Sequence, residues 1–194
     1  KSQAYSHTWR AGPGLKRIER DAGTGLSPEY IAYAKKDSEH IDLLLSNCRF
    51  WTRCFHSCFW YDGPILEKGL PKNDLYFQDT PAMRRKIRTF YQLPEDAKLV
   101  LYVPTWRENR KLHVYHLDFE GCLNAFEKRF GGRWIMLVRL HPNVYAADFD
   151  IRYTDRVLNA SPYDNSQELL AAGDAVITDY SSSGVAYIKL ERDC

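Results

Sequence analysis

Ala175-Val176-Ile177-Thr178-Asp179-Tyr180-Ser181-Ser182-Ser183-Gly184 is a short apolar run that stops in an acid, three serines and a glycine. The run is the length of a buried strand, and the residues after it turn the chain sharply. Read this way, a parallel strand ends at its carboxyl edge and leaves the hydroxyls and backbone N–H groups of Ser181, Ser182 and Ser183 at the start of the next element. In an open α/β sheet that edge is where ligands bind, and a helix N-terminus there attracts an anion. The plainer reading of the same residues is a serine cap after an ordinary strand.

Upstream of this stretch, strands and helices alternate. Leu99 to Val103 reads as a strand ending in Pro104-Thr105-Trp106-Arg107. Asp118 to Phe130 reads as a helix with Phe119, Leu123, Phe126 and Phe130 on one face, stopped by Gly131-Gly132. Trp134 to Leu140 is a strand ending in His141-Pro142-Asn143, Val157-Leu158 begins a short edge strand, and Asn165 to Ala172 is a helix. Arg110 to Tyr115 is polar and loop-like. Alternation of this kind implies a parallel sheet, whose right-handed crossovers bring the strand ends to one edge. Thr105 and Arg107, then Arg139 and His141, then Asp179, Ser181 and Ser182 would meet there, a set of cations, an imidazole and hydroxyls suited to phosphate.

The first part of the chain repeats the pattern less regularly. Ala4 to Trp9 is strand-like and breaks into Arg10-Ala11-Gly12-Pro13-Gly14-Leu15-Lys16-Arg17. In that turn Gly12 allows close backbone approach and Lys16 supplies charge, a combination that suits a phosphate contact as well as a plain loop. Ser27-Pro28-Glu29 starts a helix running to about Ser38, and Ile41 to Leu45 is a buried strand. Cys48 to Trp60 carries Trp51, Phe55 and Phe59 one turn apart, which reads as a packed helix face rather than a stacking platform for a nucleobase. Ile65 to Lys68 is a short strand leading into Gly69-Leu70-Pro71-Lys72-Asn73-Asp74, a turn with a cation inside it. Thr80 to Gln92 is a basic amphipathic helix (Arg84, Arg85, Lys86, Arg88). Its charges read as a solvated face, with attraction to an anionic membrane as the minority reading. The composition shift here places a boundary between 1–79 and 80–194.

A formal charge of +2 in 194 residues, with no aromatic-interleaved basic stripe, argues against nucleic acid as a partner. The five cysteines form no CxxC pair, and no His/Cys cluster completes a four-ligand metal site, so no metal is expected and free thiols in a reducing cytosol are. This stretch shows no signal peptide and no run of eighteen apolar residues, so nothing in it reads as exported or membrane-crossing.

Three motifs in this order, PTWR (Pro104 to Arg107), RLHPN (Arg139 to Asn143) and ITDYSS (Ile177 to Ser182), resemble those of the CDP-glycerol glycerophosphotransferases, which build teichoic acids and related bacterial wall or capsular polymers. Gly69 to Asp74 is similar to that family's G-x-P-R-N-D turn, and His7 to Asp21 to its Q-T-W-H-G-G-x-G-L-K-K-I-E-K-D segment. The resemblance covers nearly the whole chain. It implies an α/β fold of the glycosyltransferase-B type with two Rossmann-like halves, each incomplete here. Residues 1–79 would be the C-terminal part of the first, acceptor-side half, and 80–194 the nucleotide-binding half, truncated at its C-terminus.

The activity implied is attack by a polymer hydroxyl on the glycerol-bearing phosphate of CDP-glycerol, with CMP leaving and no cofactor. The acceptor would be a lipid-linked polymer, and the place the cytoplasm, peripheral on the inner face of the membrane if the basic helix touches lipid. His141 would be base or transition-state hydrogen-bond donor. Arg107 and Arg139 would neutralise phosphate, Ser181 and Ser182 would hold the diphosphate, and Asp179 would orient hydroxyls or His141. Thr105, Lys72, Asn73, Gly12 and Lys16 complete the expected binding set.

The pattern breaks at Trp9-Arg10-Ala11, where the family's W-H-G places a histidine at the position of Arg10. Arginine stays charged and cannot act as a base, though it can bind phosphate. His7 lies three residues earlier, and strand alternation turns it to the opposite face. Ala186 likewise replaces an expected carboxylate. The alternatives are therefore a non-catalytic remnant that still binds nucleotide or polymer, or a sugar-nucleotide glycosyltransferase of similar fold. The family pattern also continues past both ends of the chain, which reads as an internal piece of a catalytic domain or a degenerate copy.

Overall fold

A computed structural model describes residues 3–9, 17–105, 115, 117–141 and 151–179. The chain divides into two units, Lys1–Asp74 and Leu75–Cys194. Arg10, Gly12, Lys16, Arg107, Ser181, Ser182 and Ala186, singled out from the sequence, lie outside the described residues.

In the first unit, β1 (Ser6–Thr8), β2 (Leu43–Ser46) and β3 (Ile65–Glu67) form a parallel sheet in that order. Thr8 stands beside Leu45, and Leu45 beside Leu66. The predicted strand at Ile41 starts two residues late. Asp42 is occupied with β1 instead, its carboxylate accepting from the Tyr5 N–H at 2.8 Å. Helix α1 (Pro28–His40) begins as the sequence dictates: the Ser27 hydroxyl accepts from the Tyr30 N–H at 3.2 Å, with Pro28 in the first turn.

Helix α2 (Arg49–Cys58) supplies the core of this unit. Trp51 and Phe55 are each 2% exposed and pack on Leu44 and Ile41. Burial on this scale stabilises by about 2–3 kcal/mol per side chain, so the aromatic run is core and not a platform open to a nucleobase. The Gly69–Asp74 turn carries Gly69 at φ +92°, a conformation suited to glycine, and leads into a 3₁₀ segment, Pro71–Phe77.

The second unit begins with α3 (Thr80–Tyr91), capped by the Asp79 carboxylate on the Ala82 N–H at 2.9 Å. Its sheet is all parallel, in the order β6 (Val157–Asn159), β5 (Trp134–Val138), β4 (Lys98–Tyr102), β7 (Ala175–Ile177). Leu99, Leu101, Ile135 and Leu137 face Ile87 of α3 with Leu169 and Leu170 of α5 (Ser166–Ala172). The alternate residues Val100, Tyr102, Met136 and Val138 face Leu123 of α4 (Phe119–Phe130). Both faces are covered, which is why β4 and β5 read as unbroken apolar runs.

The expectation that the cations of α3 form a solvated face holds for Arg85 and Lys86 and is corrected for Arg84 and Arg88. Arg84 pairs with Asp174 at 2.6 Å, and Lys86 with Glu168 at 2.8 Å. Arg88 donates to the carbonyls of Pro94 and Ala97 at 2.6 and 2.7 Å. Arg85 and Lys86 both face solvent, Arg85 with Asp79 at a loose 3.9 Å. Packing against α5 and the turn before β4 draws Arg84 and Arg88 inward, while Lys86 reaches Glu168 from the exposed side.

Candidate active site at the carboxyl edge of the second sheet

β5, β4 and β7 are neighbours and run the same way, so their carboxyl ends share one edge. The ladder outlasts the regular strands by a residue on each side. The Val103 N–H donates to Ile177 O, and the Arg139 N–H to Tyr102 O, each at 2.9 Å. The strands therefore deliver Thr105, Arg139 and Asp179 just past the last rung, with the exposed His141 two residues after Arg139.

Thr105 and Asp179 are joined. Asp179 Oδ1 accepts from the Thr105 N–H at 2.8 Å and from its hydroxyl at 2.6 Å. One residue earlier, the Thr178 hydroxyl donates to Val103 O at 2.7 Å. These bonds stitch the end of β4 to the end of β7. The Thr105 hydroxyl has its proton on Asp179 and keeps its lone pairs toward other groups, so Asp179 acts here as the residue that positions Thr105.

Arg139 is half-buried, and desolvation lowers its pKa, opposed by Tyr91 and Asp164. Its Nη1 donates to Ala160 O at 3.1 Å and also to Tyr163 O. The guanidinium thus holds the segment after β6 against the end of β5. The Leu140 N–H, turned out of the ladder, donates to Ser161 Oγ at 3.0 Å, which ends the strand earlier than the sequence suggests and fixes the path into His141.

Tyr115 was not anticipated. It belongs to a stretch expected to be polar loop, yet it is 2% exposed. Its hydroxyl donates to Thr105 O at 3.3 Å and its carbonyl accepts from the Tyr102 hydroxyl at 3.4 Å. It braces the end of β4 from a second side; the signal was a lone large aromatic in a polar stretch. Ser161 carried no such signal, since its role is defined only by the partner strand.

Lys72 and Asn73 stand in the first unit on the 3₁₀ segment, where the Asn73 N–H donates to Leu70 O at 2.9 Å. His7, also in that unit, stacks on Trp9 at 6.2 Å between ring centroids, and its Nδ1 lies 3.0 Å from the Tyr5 hydroxyl. Among the described residues no group of three His, Cys, Asp or Glu side chains could hold a metal ion, and no helix is long and apolar enough to cross a membrane.

Residues 1–192 match the family model described as CDP-Glycerol:Poly(glycerophosphate) glycerophosphotransferase. A teichoic acid poly(glycerol phosphate) polymerase of Staphylococcus epidermidis is 32% identical over 203 residues, covering 99% of this chain and 28% of that protein. Its Bacillus subtilis counterpart is 29% identical over 198 residues, covering 97% of this chain and 26% of that protein. Among solved structures, the wall teichoic acid polymerase TagF superposes with a TM-score of 0.80 at 32% identity, over 99% of this chain and 49% of that one. A histidine variant of that polymerase soaked with CDPG superposes with a TM-score of 0.77. The chain spans about half of the solved polymerase and a smaller share of the two relatives. With residues 1–192 of its 194 matched by the family model, the chain belongs to the CDP-glycerol:poly(glycerophosphate) glycerophosphotransferase family.

Proposed function

We propose that this chain forms the donor-binding part of a glycerophosphate transferase that moves glycerol phosphate from CDP-glycerol to a polymer hydroxyl. The observation that carries the reading is the shared edge of β5, β4 and β7, with Thr105 tied to Asp179 and Arg139 beside the strand that leads to His141. The architecture proposed is of the glycosyltransferase-B type. Residues 1–79 belong to the acceptor-side Rossmann-like half and 80–194 to the nucleotide-binding half.

The acceptor hydroxyl oxygen attacks the phosphorus that bears glycerol, forming a new phosphodiester as the bond to the CMP phosphate breaks. The hydroxyl proton passes to His141, which is the base or else the hydrogen-bond donor to the transition state. Arg107 and Arg139 offset the phosphate charge, and Ser181, Ser182 and the amides after them hold the diphosphate. Asp179 positions Thr105 beside it. Within the first unit, Lys72, Asn73, Gly12 and Lys16 are substrate-binding residues, with Arg10 as a phosphate-binding cation. The polymer is lipid-linked and is met at the cytoplasmic face of the membrane. Since Arg84, Lys86 and Arg88 have internal partners, Arg85 is the α3 cation left for a lipid phosphate.

Release of CMP from CDP-glycerol in the presence of a lipid-linked acceptor tests this. His141→Ala is expected to reduce turnover by about a hundredfold or more, while unchanged turnover would remove His141 from the chemistry. Arg10 favours a second reading, a site that binds CDP-glycerol without turning it over. Binding without CMP release, with release restored by Arg10→His, would select it.

A further inference from the structure

We infer that Ser161 is a positioning residue for His141, holding the backbone by which the chain leaves β5 and reaches the imidazole. The inference rests on the reading of His141 as base or transition-state hydrogen-bond donor. It adds a residue from the end of β6, a strand that none of the three motifs touches.

The ladder between β5 and β6 departs from its own register at this point. The Met136 N–H donates to Arg156 O at 2.8 Å, and the Ala160 N–H to Val138 O at 2.7 Å. Continued to Leu140, the same register places its N–H on Ala160 O. That carbonyl is taken instead by Arg139 Nη1 at 3.1 Å and by the Tyr163 N–H at 3.3 Å. Leu140 is 4% exposed, and a buried N–H needs an acceptor. The Ser161 hydroxyl oxygen supplies it at 3.0 Å.

Ser161 is itself held in place. Its N–H donates to Asn159 Oδ1 at 3.0 Å, and Pro162 after it confines its backbone to extended conformations. One rung of the ladder is thus exchanged for a side-chain acceptor. The exchange lets the Arg139 guanidinium grip the turn after β6 while the residue before His141 stays anchored to the same turn. Without the Ser161 oxygen, the Leu140 N–H must compete with Arg139 for Ala160 O or draw water into the strand end. Both move the backbone that leads to His141. A displacement of about 1 Å at a reacting group is enough to cost about a hundredfold in rate.

The test compares the parent with Ser161→Ala, Ser161→Thr and His141→Ala. CMP release per folded molecule is measured with CDP-glycerol and a lipid-linked acceptor, and the NMR signal of the His141 ring is followed as CDP-glycerol is added. Ser161→Ala is expected to lower kcat by about tenfold with KM for CDP-glycerol changed less than about twofold, and to diminish the shift of the ring signal. Ser161→Thr keeps the hydroxyl and should restore both. Asn159→Ala, which releases the Ser161 N–H, should show the same changes at smaller size and decides the matter if Ser161→Ala does not fold. Parent-like kcat and ring shift in the alanine variants, with His141→Ala impaired, would overturn this inference alone, as would no restoration by threonine. His141→Ala turning over like the parent would overturn it together with the reading it rests on. If the parent releases no CMP, the ring signal decides: a shift lost with alanine and regained with threonine supports the inference, and equal shifts or none overturn it.

Discussion

Asp179 Oδ1 accepts two hydrogen bonds from Thr105, one from its backbone and one from its side chain, across the 74 residues that separate them in sequence. The pair ties the first motif of the second unit to the last. Asp179, expected from the sequence to orient hydroxyls or His141, also fixes the position of a neighbouring strand end.

Asp179→Ala removes both bonds and leaves two donors at an exposed edge, where water can replace the acceptor. The expected cost is about 1 kcal/mol, with Thr105→Val, which keeps the backbone bond, costing less. Amide hydrogen exchange gives a local reading: the Thr105 N–H should lose protection in Asp179→Ala and keep most of it in Thr105→Val. Equal protection in both variants and the parent would mean the tie does not form in solution.

Arg139 is expected to matter to stability as well as to substrate. Arg139→Met leaves the carbonyls of Ala160 and Tyr163 without their donor and should destabilise the second unit by about 2–3 kcal/mol. Arg139→Lys should fall between that variant and the parent, because the compact ammonium is costlier to desolvate than guanidinium. Urea unfolding of the three proteins checks the order. A purely ligand-contacting arginine would change affinity and leave all three midpoints alike.

Acid sensitivity should trace in part to Glu168. Burial alone would raise its carboxyl, but hydrogen bonds from Lys86 and Tyr163 outweigh that and hold it below its ordinary value of 4.5. A lowered folded value means the contribution is complete above 4.5 and is lost as pH falls through the folded value beneath it. Unfolding free energy should therefore decline with acid in that window, and the slope should flatten in Glu168→Gln. Lys86→Met should flatten it too, since it removes a cause of the lowering; an unchanged slope in both would locate the acid response elsewhere.

Much of the second unit is legible in its sequence, for a physical reason. Strands β4 and β5 are buried on both faces and its helices carry one apolar stripe, so burial writes itself into consecutive residues: Lys98–Tyr102, Trp134–Val138 and Phe119–Phe130 fall where the apolar pattern puts them. What escaped was set by partners far along the chain. Nothing near Arg84 announces Asp174, ninety residues away, so a run of cations looked like a solvated face. Nothing near Arg139 announces that its guanidinium also holds the carbonyls of Ala160 and Tyr163. Glu19 is a single acid in a charged stretch, and its left-handed backbone and burial against Tyr30 leave no trace in local pattern.

Isothermal titration of CDP-glycerol into the parent chain and into Asp179→Ala bears most directly on the proposal that the edge of β5, β4 and β7 is the donor site. The expected result is saturable binding by the parent and binding weaker by about tenfold in the variant, with the Thr105 amide gaining protection only in the bound parent. Absence of saturation, or equal affinity in both proteins, would contradict it.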